Sequence, residues 1–199
     1  TRLAEELPEV NQNLDIIERQ NSRLSRLVKD LLLICRIEQQ QILTLLQSCC
    51  LNDMIGDLVE ELAGFAVVAE VDLKLEIRAS RDLVILGDEV QLYRMVTNLI
   101  TNAIHYTPPG GLILAILDST DKEAVIQVQD TGVGIAPAEQ ARIFDRFYRV
   151  QSDRSRATGG AGLGLSIANA IAVAHQGSIQ VQSELGKGST FTIRLPLWT

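Results

Sequence analysis

Basic charge is scarce in this chain. Eighteen lysines and arginines stand against 25 acids, a net charge of −7, and this argues against direct nucleic-acid binding, which usually shows a basic patch. No apolar stretch is long enough to span a bilayer and no signal peptide is visible, so no membrane contact is expected of these residues. The three cysteines, Cys35, Cys49 and Cys50, lack metal-ligand spacing and read as reduced, mostly buried thiols of a cytoplasmic protein. There is no Gly-x-x-x-x-Gly-Lys-Ser/Thr phosphate loop, and Gly162-Leu-Gly164 lacks the third glycine of a dinucleotide fingerprint. No internal repeat or low-complexity segment is evident. Histidine occurs only at His105 and His175.

Two glycine clusters stand out against this background. Asp130-Thr-Gly132-Val-Gly134-Ile135 joins one acidic group to two glycines, and Gly159-Gly160-Ala-Gly162-Leu163-Gly164-Leu165 follows downstream. Glycine lets the backbone approach a ligand closely and lets its amides point into a site. Amides of that kind suit phosphate oxygens where a helix starts just afterwards, as Leu165-Ser-Ile-Ala-Asn-Ala-Ile does by pattern. Taken singly, each cluster is equally readable as a turn.

Upstream, Asp88 behind Gly87 is a good N-cap for a helix that breaks at Pro108-Pro109-Gly110-Gly111. Leu92, Met95, Val96, Leu99, Ile100 and Ala103 form its apolar face. Asn98 and Asn102 are four residues apart and so share one side of it. Two carboxamides there could hold a cation, a water or a phosphate oxygen, and a neutral oxygen ligand suits Mg²⁺ beside nucleotide phosphates. One buried and one exposed asparagine of no special role is the plainer alternative.

The order of these features narrows the reading. An asparagine-bearing helix, the Asp-x-Gly-x-Gly turn, Phe144-Asp-Arg-Phe147-Tyr148-Arg149, the second glycine cluster and Gly186-Lys-Gly188-Ser-Thr190-Phe191 succeed one another. This closely resembles the catalytic, ATP-binding domain of sensor histidine kinases of two-component systems, whose N, G1, F, G2 and G3 boxes come in that order. The resemblance covers roughly Ile42 to Trp198. The same nucleotide fold also serves type II topoisomerases, a heat-shock chaperone and mismatch-repair ATPases, but the Phe-rich box and the N-terminal helix point to the kinase branch.

The resemblance implies a role for each matching residue. Asp130 would accept a hydrogen bond from the adenine amino group, worth about 1.5–3 kcal/mol. Gly132 and Gly134 would let the turn close on the base, with Ile135 and Tyr106 as apolar and stacking surface and Thr190 in support. Asn102 would hold Mg²⁺, Asn98 would lie near the phosphates, and Arg149 would reach the γ-phosphate. Gly160, Gly162, Leu163, Gly164 and Leu165 would line the phosphates, with backbone amides from Gly162 to Gly164. Arg146 and Lys187 read as solvated surface charges. His105 departs from the lysine or arginine frequent in the family at its position. An ordinary histidine titrates near pH 6.5, so a phosphate contact there would weaken as pH rises, unless His105 is merely tolerated at the rim. His175, before Gln176-Gly177, reads as a capping or packing residue at a helix C-terminus.

The N-terminal segment carries a heptad seam: Leu3, Leu7, Val10, Leu14, Ile17, Asn21, Leu24, Val28, Leu31, Cys35 and Glu38. Ile16, Leu27, Ile34 and Ile37 widen the stripe as a four-helix bundle would need. Proline is tolerated only at a helix start, so one long helix is expected from Pro8 to Gln41. Asn21 to Leu32 resembles the second helix of the kinases' dimerisation and phosphotransfer domain, whose first helix bears the phosphoacceptor histidine. Neither histidine here fits that role.

The expected architecture is therefore an α/β (α+β) two-layer sandwich, a mixed or antiparallel sheet with helices on one face, preceded by a coiled-coil-like helix. Residues 1–41 would be a partial dimerisation helix and 42–199 the catalytic domain. Strands are expected at Ile42–Cys50, Val71–Ala79, Leu83–Leu86, Leu112–Asp118, Ala124–Asp130, Ser178–Glu184 and Thr190–Leu195. Helices are expected from an Asn52 cap to about Ala69, from Asp88, and at Leu163–His175, with a mobile lid over Gln151 to Ala161. The implied function is transfer of the ATP γ-phosphate, with Mg²⁺, to a histidine on the missing helix for relay to a response regulator, in a homodimer whose parent could be membrane-bound. The alternatives are an ATP-hydrolysing switch of the same fold and a non-catalytic docking module.

Overall fold

Helix capping and strand alternation together set the architecture. In the computed structural model, which describes residues 2–38, 46–150 and 161–198, the chain runs α1 (Arg2–Glu38), β1 (Gln47–Cys50), α2 (Leu51–Val68), β2 (Asp72–Ile77), β3 (Val84–Gly87) and α3 (Glu89–Tyr106). It continues through β4 (Leu112–Ser119), β5 (Glu123–Asp130), the short α4 (Pro137–Gln140), α5 (Gly164–Ala174), β6 (Ser178–Glu184) and β7 (Gly188–Pro196). A five-stranded sheet has the order β2-β4-β5-β7-β6, parallel only between β2 and β4. A separate antiparallel pair joins β1 to β3. Helices α2, α3 and α5 pack on one face of the large sheet, so the two-layer sandwich holds.

The burial pattern follows from residue spacing. In α3, Leu92, Met95, Val96, Leu99, Ile100 and Ala103 are all buried, each large side chain contributing about 1.5–3 kcal/mol. Asp88 caps the helix by accepting from the Gln91 amide at 3.2 Å and from its side-chain Nε2 at 2.7 Å. In α5 the buried set is Ser166, Ile167, Ala168, Ile171 and Ala172, and the small members let it lie close against α3. Strand β7 alternates, with Ser189, Phe191, Ile193 and Leu195 buried.

Three expectations need correction. Helix α1 runs through Pro8 from Arg2. The proline removes one i→i−4 bond near the end of a 37-residue helix, and the turns on either side continue. Asn52 is not a cap: the helix begins at Leu51 with Cys50 before it, and Asn52 Oδ1 instead accepts the Leu83 amide at 2.9 Å, tying α2 to the start of β3. Ile34 and Ile37 do not widen a bundle seam; they are buried and, with Leu27 and Leu33, join the core of the globular part through α5. The last residues of the expected first helix, the first four of the expected β1 strand, and the lid apart from Ala161 lie outside the described residues.

His175 is the C-cap residue of α5 and joins two distant parts of the chain. Its Nδ1 lies 2.8 Å from the Ile171 carbonyl and its Nε2 accepts the Asp88 amide at 3.1 Å. One nitrogen donates and the other accepts, so the neutral imidazole is the form that satisfies both. His175→Ala should strand the Asp88 amide and open a cavity beside Leu92, destabilising the fold by about 2–4 kcal/mol in chemical denaturation.

Candidate functional site

The site lies where α3, the loop after β5, the β6–β7 hairpin and the N-terminus of α5 converge. Asp130 ends β5, and its Oδ1 accepts the Gly132 amide at 2.8 Å and the Ser189 amide at 3.2 Å. Among the described residues nothing donates to Oδ2. Burial pushes the Asp130 carboxyl above its ordinary 3.8, and the two amides only partly oppose that. The loop is held to α3 by the Val133 amide, which donates to the Tyr106 carbonyl at 3.1 Å. Gly132 is required there, because a Cβ would stand 2.5 Å from that carbonyl oxygen and 2.6 Å from Asp130 Oδ1. Gly134 packs onto the Glu184 backbone. The Ile135 amide donates to Ser183 Oγ at 2.8 Å, and its side chain rests on the core. The Tyr106 side chain is exposed.

Thr190 does not join this group. In the β5–β7 register Asp130 stands opposite Ser189, while Thr190 stands opposite Gln129. Strand side chains alternate, so Thr190 projects from the opposite face and Ser189 from that of Asp130. Ser189 and its hydrogen-bond partner Ser183 are thus the site residues that the sequence reading missed. The glycine-rich run before Phe191 marked the segment, but only the pairing register fixed the face.

At the other end, the Asn98 carboxamide faces the start of α5. A Cβ built on Gly164 would lie 3.7 Å from Asn98 Oδ1, and Asn98 Nδ2 is buried with no hydrogen-bond partner. Leu163, at the N-cap of α5, has no side-chain cap bond, so its own side chain satisfies none of the first-turn amides. Half-buried Asn102 lies one turn along α3 from Asn98. His105, a turn further, is exposed with Nδ1 2.9 Å from the Thr101 carbonyl, which leaves Nε2 outward. The Phe144–Arg149 segment is anchored by the Phe147 amide, donating to the Gly162 carbonyl at 2.9 Å. Gly162 has φ +73°, and a Cβ there would meet the Phe147 carbonyl carbon at 2.8 Å. Phe147 itself has φ 63°, a conformation costing about 1–3 kcal/mol that its surroundings must impose. Arg149 follows, half-buried; Gly160 lies outside the described residues.

The site is polarised. Its Asp130 end offers hydrogen-bond acceptors, whereas its α5 end has a helix N-terminus, whose dipole favours negative charge, beside the buried, orphaned Asn98 amide. Tyr106 lies eight positions beyond Asn98 on α3, about 12 Å along the axis. A ligand with an amino-bearing ring at one end and anionic groups at the other fits that polarity.

Residues 87–199 match the family model described as "Histidine kinase-, DNA gyrase B-, and HSP90-like ATPase". The chain belongs to this family. Within it, the similar proteins are sensor kinases. The chain is 52% identical to the sensor histidine kinase RppB of a Synechocystis species over 192 residues, 96% of this chain and 42% of that protein. It is 36% identical to the sensor-like histidine kinase SenX3 of Mycobacterium tuberculosis over 175 residues, 88% of this chain and 42% of that protein. The solved structure of full-length ShkA in complex with AMPPNP aligns with a TM-score of 0.77 and 29% identity, covering 88% of this chain and 36% of that one. The chain spans less than half the length of these curated relatives. Among the described residues no helix is long and apolar enough to cross a membrane.

Because burial raises the Asp130 pKa, the folded protein holds that proton more tightly than the unfolded chain does. Ionised Asp130 therefore costs stability above its folded pKa. Asp130→Asn, which can still accept both amides, should raise the urea midpoint at pH 7. The gain should shrink as pH falls through the folded pKa and vanish below 3.8.

Proposed function

We propose that this domain binds ATP with Mg²⁺ and presents the γ-phosphate to a histidine on the helix preceding α1 in the whole kinase. The observation that carries this is the polarity of the site: an acceptor carboxylate with a free oxygen at one end, and an unpartnered carboxamide against a helix N-terminus at the other. Asp130 Oδ2 takes the adenine amino group, Ile135 and Tyr106 flank the ring, and the amides of Gly162, Leu163 and Gly164 receive the phosphates, with Gly160 and Leu165 beside them. Asn98 Nδ2 donates to a phosphate oxygen, and Arg149 neutralises charge on the γ-phosphate. The residues fit a magnesium ion, because Asn102 offers a neutral oxygen one turn from the orphaned Asn98 amide. Bound there, the ion would neutralise phosphate charge. His105 Nε2 is an additional donor at the rim.

The domain's work is positioning and charge neutralisation, since the nucleophile comes from elsewhere. Asn98 weighs against the ATP-hydrolysing alternative, because a carboxamide cannot take a proton from an attacking water. Residues 1–41 are read as the partial dimerisation helix and 42–199 as the catalytic domain, with a second copy and a response regulator as partners in the cytoplasm. The heptad positions Val10, Leu14, Ile17, Leu24 and Val28 support the dimer, being all more than half exposed.

Calorimetric titration with ADP should show saturable binding that strengthens with Mg²⁺. Asp130→Asn should weaken it about ten- to a hundredfold. Asn102→Ala should remove most of the Mg²⁺ dependence while leaving Mg²⁺-free binding within about threefold. Absence of binding by the folded, unsubstituted chain would overturn the proposal in favour of a docking module.

A further inference from the structure

Ser183 lies on β6, outside the motif residues assigned above, and carries a complete set of hydrogen bonds. Its Oγ lies 2.8 Å from the Ile135 amide, 2.9 Å from the Gly188 carbonyl and 2.9 Å from Ser189 Oγ. A serine hydroxyl has one proton and two lone pairs. The Gly188 carbonyl can only accept, so it takes the Ser183 proton. The Ile135 amide can only donate, so it fills one lone pair. The second lone pair must then accept from Ser189, which turns the Ser189 proton away from Asp130. Gln140 locks the arrangement by donating from Nε2 to the Ile135 carbonyl at 3.0 Å and to the Ser183 carbonyl at 2.8 Å.

Ser189 faces Asp130 in the β5–β7 register and is 7% exposed. With its proton committed to Ser183, it has only lone pairs left beside a carboxylate whose Oδ2 is free. At Asp130 and Ser189 the base end therefore presents only acceptors. We infer that Ser183 is a specificity-positioning residue: by fixing the direction of the Ser189 proton, it makes the pocket select a 6-amino purine over a 6-oxo purine. The inference rests on the nucleotide reading above and deepens it. Without Ser183, the Ser189 hydroxyl can rotate and donate to a 6-oxo group, and the penalty against that group falls. A site built around one pattern of donors and acceptors rejects the analogue that leaves its buried polar groups unmatched.

ADP and inosine diphosphate differ at the 6-position and in the N1 proton that goes with it, so the ratio of their dissociation constants reads the effect. Calorimetry on the unsubstituted chain should give at least about a tenfold preference for ADP. Ser183→Ala should cut that ratio about threefold or more, and Ser183→Thr, which keeps the hydroxyl, should hold it within about twofold. Ser183→Cys, of similar volume but a weak acceptor, should also lower the ratio and serves where the alanine variant does not fold by thermal melting. Parallel loss of affinity for both nucleotides at constant ratio would overturn the inference, as would failure of both the Ala and Cys variants to fold. An unsubstituted chain that binds neither nucleotide would overturn the nucleotide reading itself, and the inference with it.

Discussion

The antiparallel pairing of β5 with β7 is the constraint on which the site depends. It aligns Asp130 with Ser189 and so brings an amide of one strand to the carboxylate of the other. Below that pair, Val128 and Phe191 continue the same face into the core. The carboxylate is thus the rim of a buried stripe, which explains its desolvation. A shift of one residue in this register would turn Ser189 outward and bring Thr190 to the carboxylate.

Each end of the site carries a feature that the fold leaves unmatched or strained. Asp130 carries a desolvated charge, Asn98 keeps an amide with no acceptor, and Phe147 sits in the left-handed region. A buried orphan of this kind costs about 1–3 kcal/mol. The two ends ask for opposite chemistry. Packing of α3 against α5 holds the donor end, while the bond from Val133 to Tyr106 ties the acceptor end to the same helix. One rigid element therefore sets the spacing between them.

Helix α1 divides its apolar residues between two tasks. Ile34 and Ile37 pack on the globular part, and Asp30 pairs with Arg94 of α3. Val10, Leu14, Ile17, Leu24 and Val28 stay exposed along the heptad seam. A single amphipathic stripe in the sequence is thus split by the fold into a surface used within the chain and one left exposed.

The sequence by itself determined the elements and the order of the boxes. Apolar spacing marked α3 and α5, Asp88 and Pro108 bounded α3, and glycine beside Asp130 marked the turn, because these signals are local and act through propensity and periodicity. Local signals failed where a partner distant in sequence decided the outcome. Asn52 has cap chemistry but was recruited by the Leu83 amide. Thr190 and Ser189 are adjacent residues of similar chemistry, and only strand pairing chose between them. Ser183 became part of the site because the register of β6 with β7 set its hydroxyl against Ser189, while the loop after β5 brought it the Ile135 amide. Hydrogen-bond partners tens of residues apart are set by tertiary packing, and no local pattern records them.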